Sequence, residues 1–174
     1  MNTDVTINES ELIEAAKKGA YPYIQVFVDK YRQILGEKGL SGDKMALLNA
    51  SQHTLLAYDI FRTEMLEGGF CQLIQNGYGS YLFLNPFPKV MKMWGLADFS
   101  KLLYHAEDIY RKNRSDLERQ RDDEEFMAMY EQYEKLSDMD DKYIDEEEDI
   151  TLKIAQYVDN HLEEFTKIVK VSTQ

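Results

Sequence analysis

The stretch Leu47-Leu48-Asn49-Ala50-Ser51-Gln52-His53-Thr54-Leu55-Leu56-Ala57-Tyr58-Asp59-Ile60-Phe61-Arg62-Thr63-Glu64-Met65-Leu66-Glu67-Gly68-Gly69 decides the fold. Leu47, Ala50, Thr54, Ala57, Phe61 and Met65 recur at spacings of 3 and 4, the repeat of one helical face, with Leu48 and Leu55 widening the stripe. Paired glycines then stop it. The pattern predicts a long amphipathic helix from about Asp43 to Glu67.

The helical period continues in both directions. Tyr23, Phe27, Tyr31 and Ile34 predict a helix that starts with Pro22 in its first turn and ends at Gly36. A shorter helix is expected before it, from near Asn8 or Ser10 to Gly19. Beyond the glycines, a turn of helix through Cys71 and Ile74 ends at Asn76-Gly77. Tyr78 to Leu84 is aromatic and is the one candidate for extended chain. Asn85-Pro86 restarts a helix up to Trp94, and Asp98 or Ser100 caps the next, with Phe99, Leu102, Leu103, Ala106 and Ile109 inward. Ser115-x-x-Glu118 has the form of a capping box, predicting a helix whose stripe is Phe126, Met129, Tyr130, Tyr133 and Leu136. A break is expected at 137–141. A last helix follows, with an acidic start, Ile150, Ile154, Val158, Leu162, Phe165 and Val169 inward, and Lys167 and Lys170 at its end. The class is all-α: one domain, a bundle of about seven to eight helices with little or no sheet. Residues 1–40 are expected to form a helical hairpin packed on a main domain of 41–174.

Composition narrows the function. The chain has 174 residues, 44% hydrophobic and 30% charged, which suits a globular domain with a real core. A single cysteine, Cys71, excludes an intrachain disulfide and a cysteine-based zinc site. No apolar run approaches 18 residues and the first residues lack a basic, apolar leader pattern, so no membrane span and a cytoplasmic address are expected. The net charge of −12 argues against direct binding to nucleic acid or an anionic membrane.

That charge is concentrated. Residues 116–149 hold 16 Asp+Glu and 4 Lys+Arg, a net of −12, while the remaining residues hold 16 of each sign. The dense runs are 122–125 and 145–149, with Asp138, Asp140 and Asp141 between them. Asp122, Asp123, Glu125 and Glu131 from one helix, with Asp145, Glu146, Glu148 and Asp149 from the next, are the candidate contact residues for a basic partner. The alternative is a solvated acidic face that only keeps the protein soluble.

Chemistry at a reaction centre is poorly supported. Asp138, Asp140, Lys142, Glu146 and Asp149 fall on calcium-loop positions. However, a lysine stands where a ligand belongs and Tyr143 where the turn needs glycine. His53, His105 and His161 occupy three separate helices without ligand spacing, and no Glu-x-x-His pair is present. Neither a metal nor a cofactor is expected. Cys71, just after the glycines, is placed where a helix start could lower its pKa, but no orienting partner can be named. Tyr78, Tyr81, Leu82, Phe83, Leu84, Phe87 and Trp94 form either core or an exposed patch for a protein partner or a homodimer.

The run Glu64 to Gly77, with Gly68, Gly69, Phe70, Gln72, Asn76 and Gly77 in place, resembles the signature of a bacterial helical family. That family is named for the C-terminal domain of a DNA-mimic protein. Residues 136–143 and 154–158 resemble the same family's acidic turn and closing helix, and the likeness spans roughly Met45 to Phe165. The resemblance implies a non-enzymatic interaction protein whose acidic surface imitates duplex DNA and occupies a DNA-binding protein. Physically the motif is architectural: a glycine at positive φ ends the long helix, and Gln72 and Asn76, four apart, bond backbone groups at the corner. Two other functions stay open: a helical protein-binding or immunity-type module that uses its aromatic patch, and an enzyme with an unrecognised pocket.

Overall fold

The computed structural model describes residues 4–37 and 39–171. Among them are eleven α-helices, one 3-10 helix and one two-stranded sheet, so the protein is all-α. The helices outnumber the seven or eight expected because Gly79–Phe83 is helical, Arg114–Glu118 is separate from Asp123–Gln132, and Leu162–Phe165 is separate from Glu134–Asn160. The chain divides into two compact units, Met1–Asp59 with Thr151–Gln174, and Ile60–Ile150.

The first unit contains β1 (Thr6–Asn8), α1 (Glu9–Lys18), α2 (Ala20–Leu35), a 3-10 helix (Gly42–Leu47) and the start of α3 (Ala50–Glu67). It also holds the end of α10 (Glu134–Asn160), α11 (Leu162–Phe165) and β2 (Lys167–Val169). The predicted helix from Asp43 is thus two elements, a 3-10 turn and then α3 from Ala50. Pro22 sits third in α2, not first. The last predicted helix stops at Asn160, and Lys167 belongs to a strand rather than a helix end. β1 and β2 pair in parallel, Ile7 opposite Ile168. Ile24, Phe27, Tyr31, Leu55, Tyr58, Ile154, Val158 and Phe165 are buried. The core's polar atoms are paired: Tyr31 Oη donates to the Phe165 carbonyl at 2.9 Å, as does Gln52 Nε2 at 3.1 Å, and Tyr58 Oη meets Thr151 Oγ1 at 2.7 Å.

The second unit holds the end of α3, then α4 (Gly69–Gln75), α5 (Gly79–Phe83), α6 (Phe87–Met93), α7 (Ala97–Lys112), α8 (Arg114–Glu118), α9 (Asp123–Gln132) and the start of α10. Its centre is Phe61, whose ring lies 4.8 Å from Tyr143, 5.4 Å from Phe99, 5.7 Å from Phe70 and 6.0 Å from Phe87. Tilted and edge-on pairs of this kind are favourable beyond the area they bury. The Tyr78–Leu84 stretch is helical, not extended, because the element around Leu82 and Phe83 buries those side chains in the aromatic core. Asn85 does not cap α6: its amide donates back to Tyr81 O at 2.7 Å. Nor do Asp98 or Ser100 cap α7, which begins at Ala97; Ser100 is buried and donates to Pro88 O at 2.7 Å.

Two boundaries in the acidic segment also differ from expectation. The helix opened by Ser115-x-x-Glu118 is the five-residue α8, and the working capping box is Asp122 with Glu125. The expected break at 137–141 is absent: α10 runs unbroken from Glu134, and the actual turn is at Tyr133.

Candidate functional site

The Gly68-Gly69 corner fixes the scaffold on which the acids stand. Gly69 has φ +80, a left-handed conformation that glycine adopts without strain, while Gly68 is extended. A Cβ on Gly69 would overlap the Asp140 carboxyl from α10, and one on Gly68 would overlap the Gln72 side chain. Asp140 Oδ1 accepts the Phe70 N–H at 2.9 Å, so the second helix of the corner is capped by a side chain 70 residues away. Gln72 and Asn76 do not bond backbone groups as expected. Both amides donate to Glu64 Oε2, at 3.3 and 2.8 Å, tying the corner to the end of α3. Tyr130 of α9 donates to the Gly68 carbonyl at 2.8 Å.

Cys71 of this corner is fully buried, and burial, with Asp140 beside it, pushes its thiol up to about 12. That is the opposite of the lowering a reactive thiolate needs, and it removes the nucleophile. His53 and His161 are occupied with the carbonyls of Met45 and Tyr157. Among the described residues no three His, Cys, Asp or Glu side chains gather as a metal would require. No helix of the described residues is long and apolar enough to cross a membrane.

The acids of residues 116–149 fall into two groups. The first is structural. Asp116 accepts from Tyr133, Gln132, Arg119 and Arg121, and the Tyr133 hydroxyl in particular holds it below the usual carboxylate range. Glu147 is buried and paired with Arg62 at 2.5 Å. Asp140 is buried at the glycine corner.

The second group faces solvent. Glu134, Asp138, Asp141, Asp145 and Glu148 are all exposed and are spaced 4, 3, 4 and 3 along α10. At 100° per residue they stay within an arc of about 80° and run along about 21 Å of helix. Among the described residues none of the five is ion-paired, although Lys135 and Lys142 stand along one flank. Of the acids named from the sequence, Asp145 and Glu148 lie in this row. Asp149 is exposed beside it and Glu146 is half-buried to the side. Asp122 and Glu125 face solvent but are engaged: Glu125 N–H donates to Asp122 Oδ1 at 2.8 Å, Asp122 N–H to Glu125 at 3.3 Å, and Arg119 pairs with Glu125 at 3.3 Å. Asp123 and Glu131 are exposed at the two ends of α9. Glu134, Asp138 and Asp141 were missed because a helix break was expected among them; their 3–4 spacing was the signal that could have found them.

The aromatic stretch is mostly core. Leu82, Phe83, Phe87 and Trp94 are buried, whereas Leu84 and the neighbouring Met93 are exposed.

An all-α protein that displays unpaired carboxylates in a line on one helix is thereby defined. The family model for DMP19-like proteins matches residues 46–161, and the chain belongs to that family. It is 28% identical over 130 residues to the DNA mimic protein DMP19 of Neisseria meningitidis serogroup B (strain ATCC BAA-335 / MC58), a match that covers 74% of this chain and 79% of that protein. The family match includes the glycine corner, α9 and the whole acid row.

Proposed function

We propose that this protein acts by binding rather than catalysis, as an acidic decoy that occupies the DNA-binding surface of a basic protein in the cytoplasm. The observation that carries this reading is the unpaired row Glu134, Asp138, Asp141, Asp145 and Glu148, in a relative of a DNA mimic protein. One phosphate strand of DNA places a charge about every 3.4 Å of axis, and the row places one about every 5 Å. It is sparser than a strand of DNA but linear and fixed, with Asp123, Glu131 and Asp149 adding charge off the line. A row of this kind attracts a cationic groove at long range and speeds association, and its hold weakens steeply with salt.

The test compares the wild type with a variant carrying Asp138→Asn, Asp141→Asn and Asp145→Asn, both immobilised and exposed to cell extract. Wild type is expected to retain a DNA-binding protein that is released by added duplex DNA and by salt, and the variant to retain far less. Capture that survives neutralisation of the row, or that duplex DNA does not compete, would overturn the proposal.

A further inference from the structure

Asp140 sits between two members of the acid row in sequence but on the opposite side of the helix. Asp138 and Asp141 are exposed, whereas Asp140 is 8% exposed and its carboxyl is pressed against Gly69. Its one hydrogen bond comes from the Phe70 amide. The titratable groups that face it are Asp141 on its own helix, the Cys71 thiol on α4 and the Tyr130 phenol on α9. None of them is a cation; Arg121, its side chain fully buried and acting on the Cys71 thiol, is paired with Asp116. Ordinarily a buried carboxylate is matched by a positive partner, as Glu147 is by Arg62. Asp140 has a backbone amide on one side and a like charge on the other. Burial is the largest influence, opposed by the Phe70 bond and reinforced by Asp141, and the carboxyl is pushed up to about 7.

Building on the reading of the row as the partner-binding face, we propose that Asp140 couples occupancy of that face to a proton. A cationic partner lying along the row cancels the field of Asp141, which opposes the Asp140 anion. Asp140 then ionises, its proton passes to solvent, and the Phe70 N–H bonds a full carboxylate, a stronger and shorter interaction than with the neutral acid. Because linkage is reciprocal, added acid returns the proton and weakens the partner's hold.

The experiment uses the full chain and octalysine as the probe, by calorimetry at constant ionic strength and at pH 6 and 8, in two buffers of different ionisation enthalpy. Wild type is expected to bind about threefold more tightly at pH 8, the effect of a pKa displaced by half a unit, and to release protons near neutral pH. Asp140→Asn, which fixes the neutral form, is expected to bind with the weaker wild-type affinity of pH 6 at both values and to release no proton through this site. The same pH dependence and proton release in Asp140→Asn would assign them to another group, such as His105, and overturn the inference while leaving the row intact. Equal binding by the variant with Asp138, Asp141 and Asp145 neutralised would instead overturn the row as the binding face. No binding by wild type would overturn both. Should Asp140→Asn fold poorly, the Asp140 carboxyl carbon can be titrated by NMR in wild type: its midpoint is expected to fall when octalysine is present, and an unchanged midpoint overturns the coupling.

Discussion

The glycine corner and the acid row share one compact unit, and both lie within the residues that define the family, yet they are built on opposite terms. At the corner every group has a partner. Gly69 yields space to Asp140, Phe70 donates to it, and Glu64 collects the amides of Gln72 and Asn76. Along the row nothing is engaged: five carboxylates stand in solvent without an ion pair among the described residues. Contacts inside the fold restrict the corner residue by residue. The row is restricted only by its charge and spacing, so Asp and Glu serve equally and a neighbouring turn of helix could carry the load. A motif made of fold-bearing residues therefore announces the scaffold sooner than it announces what the scaffold displays.

The sharpest way to break this contrast is Gly69→Val. The residue holds φ +80 and its new Cβ would overlap the Asp140 carboxyl, so a loss of about 3–5 kcal/mol is expected, lowering Tm by roughly 10 °C. Gly68→Val should cost less, since Gly68 is extended and part of what it meets is the movable Gln72 amide. Thermal melts that rank the two the other way would refute this explanation of the corner. Next in size is Glu64→Ala, which removes the acceptor of the half-buried Gln72 amide and of the exposed Asn76 amide. A loss of about 1–3 kcal/mol is expected in urea denaturation.

Asp140→Asn should move stability in the other direction. The folded carboxyl is raised to about 7 from an unfolded value near 4, so the folded state holds a proton that the unfolded state has already released. Stability from this group is therefore full below pH 4 and is lost as pH rises towards 7. An amide keeps an oxygen for Phe70 without that titration. The variant is expected to gain about 1–2 kcal/mol at pH 8, and the gap is expected to narrow at pH 5, as denaturation at both values would show. The smallest effect belongs to the row. Asp138→Asn, Asp141→Asn and Asp145→Asn together should change stability by no more than about 0.5 kcal/mol, with a slight gain from relieved repulsion. A loss above about 1 kcal/mol would make the row structural and end the contrast.

How much of this was legible in the sequence depended on whether the buried face of each helix was apolar. It was for α2 and α7, whose stripes are buried except for the half-buried Ile34 and Ile109; in α3 the expected stripe does not hold, since Ala50 is exposed and residues 54–61 are all buried rather than one face of the helix. The inward face of α10 is Leu136, Asp140, Tyr143, Glu147, Ile150, Ile154 and Val158, all buried at 3–4 spacing. Two acids interrupt that face, and with Ser137 and three aspartates nearby the pattern looked like a turn. Asp140 is inside because a glycine 71 positions earlier leaves room for it, and Glu147 because Arg62 meets it there, neither of which a local period reveals. The acidic region itself was plain from composition. Which acids face outward followed only from the helix being continuous.

The parallel pairing of Thr6–Asn8 with Lys167–Val169 bears on the order in which the chain assembles as it is made. The unit Ile60–Ile150 is one uninterrupted stretch, so all its residues are available once Ile150 has been added. The other unit draws on both flanks, and its first strand waits some 160 residues for its neighbour. Closing so wide a loop is entropically slow, and during synthesis it is also impossible before Lys167 leaves the ribosome. The acid row thus belongs to the part that can be in place first, while β1 has no strand partner until residues 167–169 have been made.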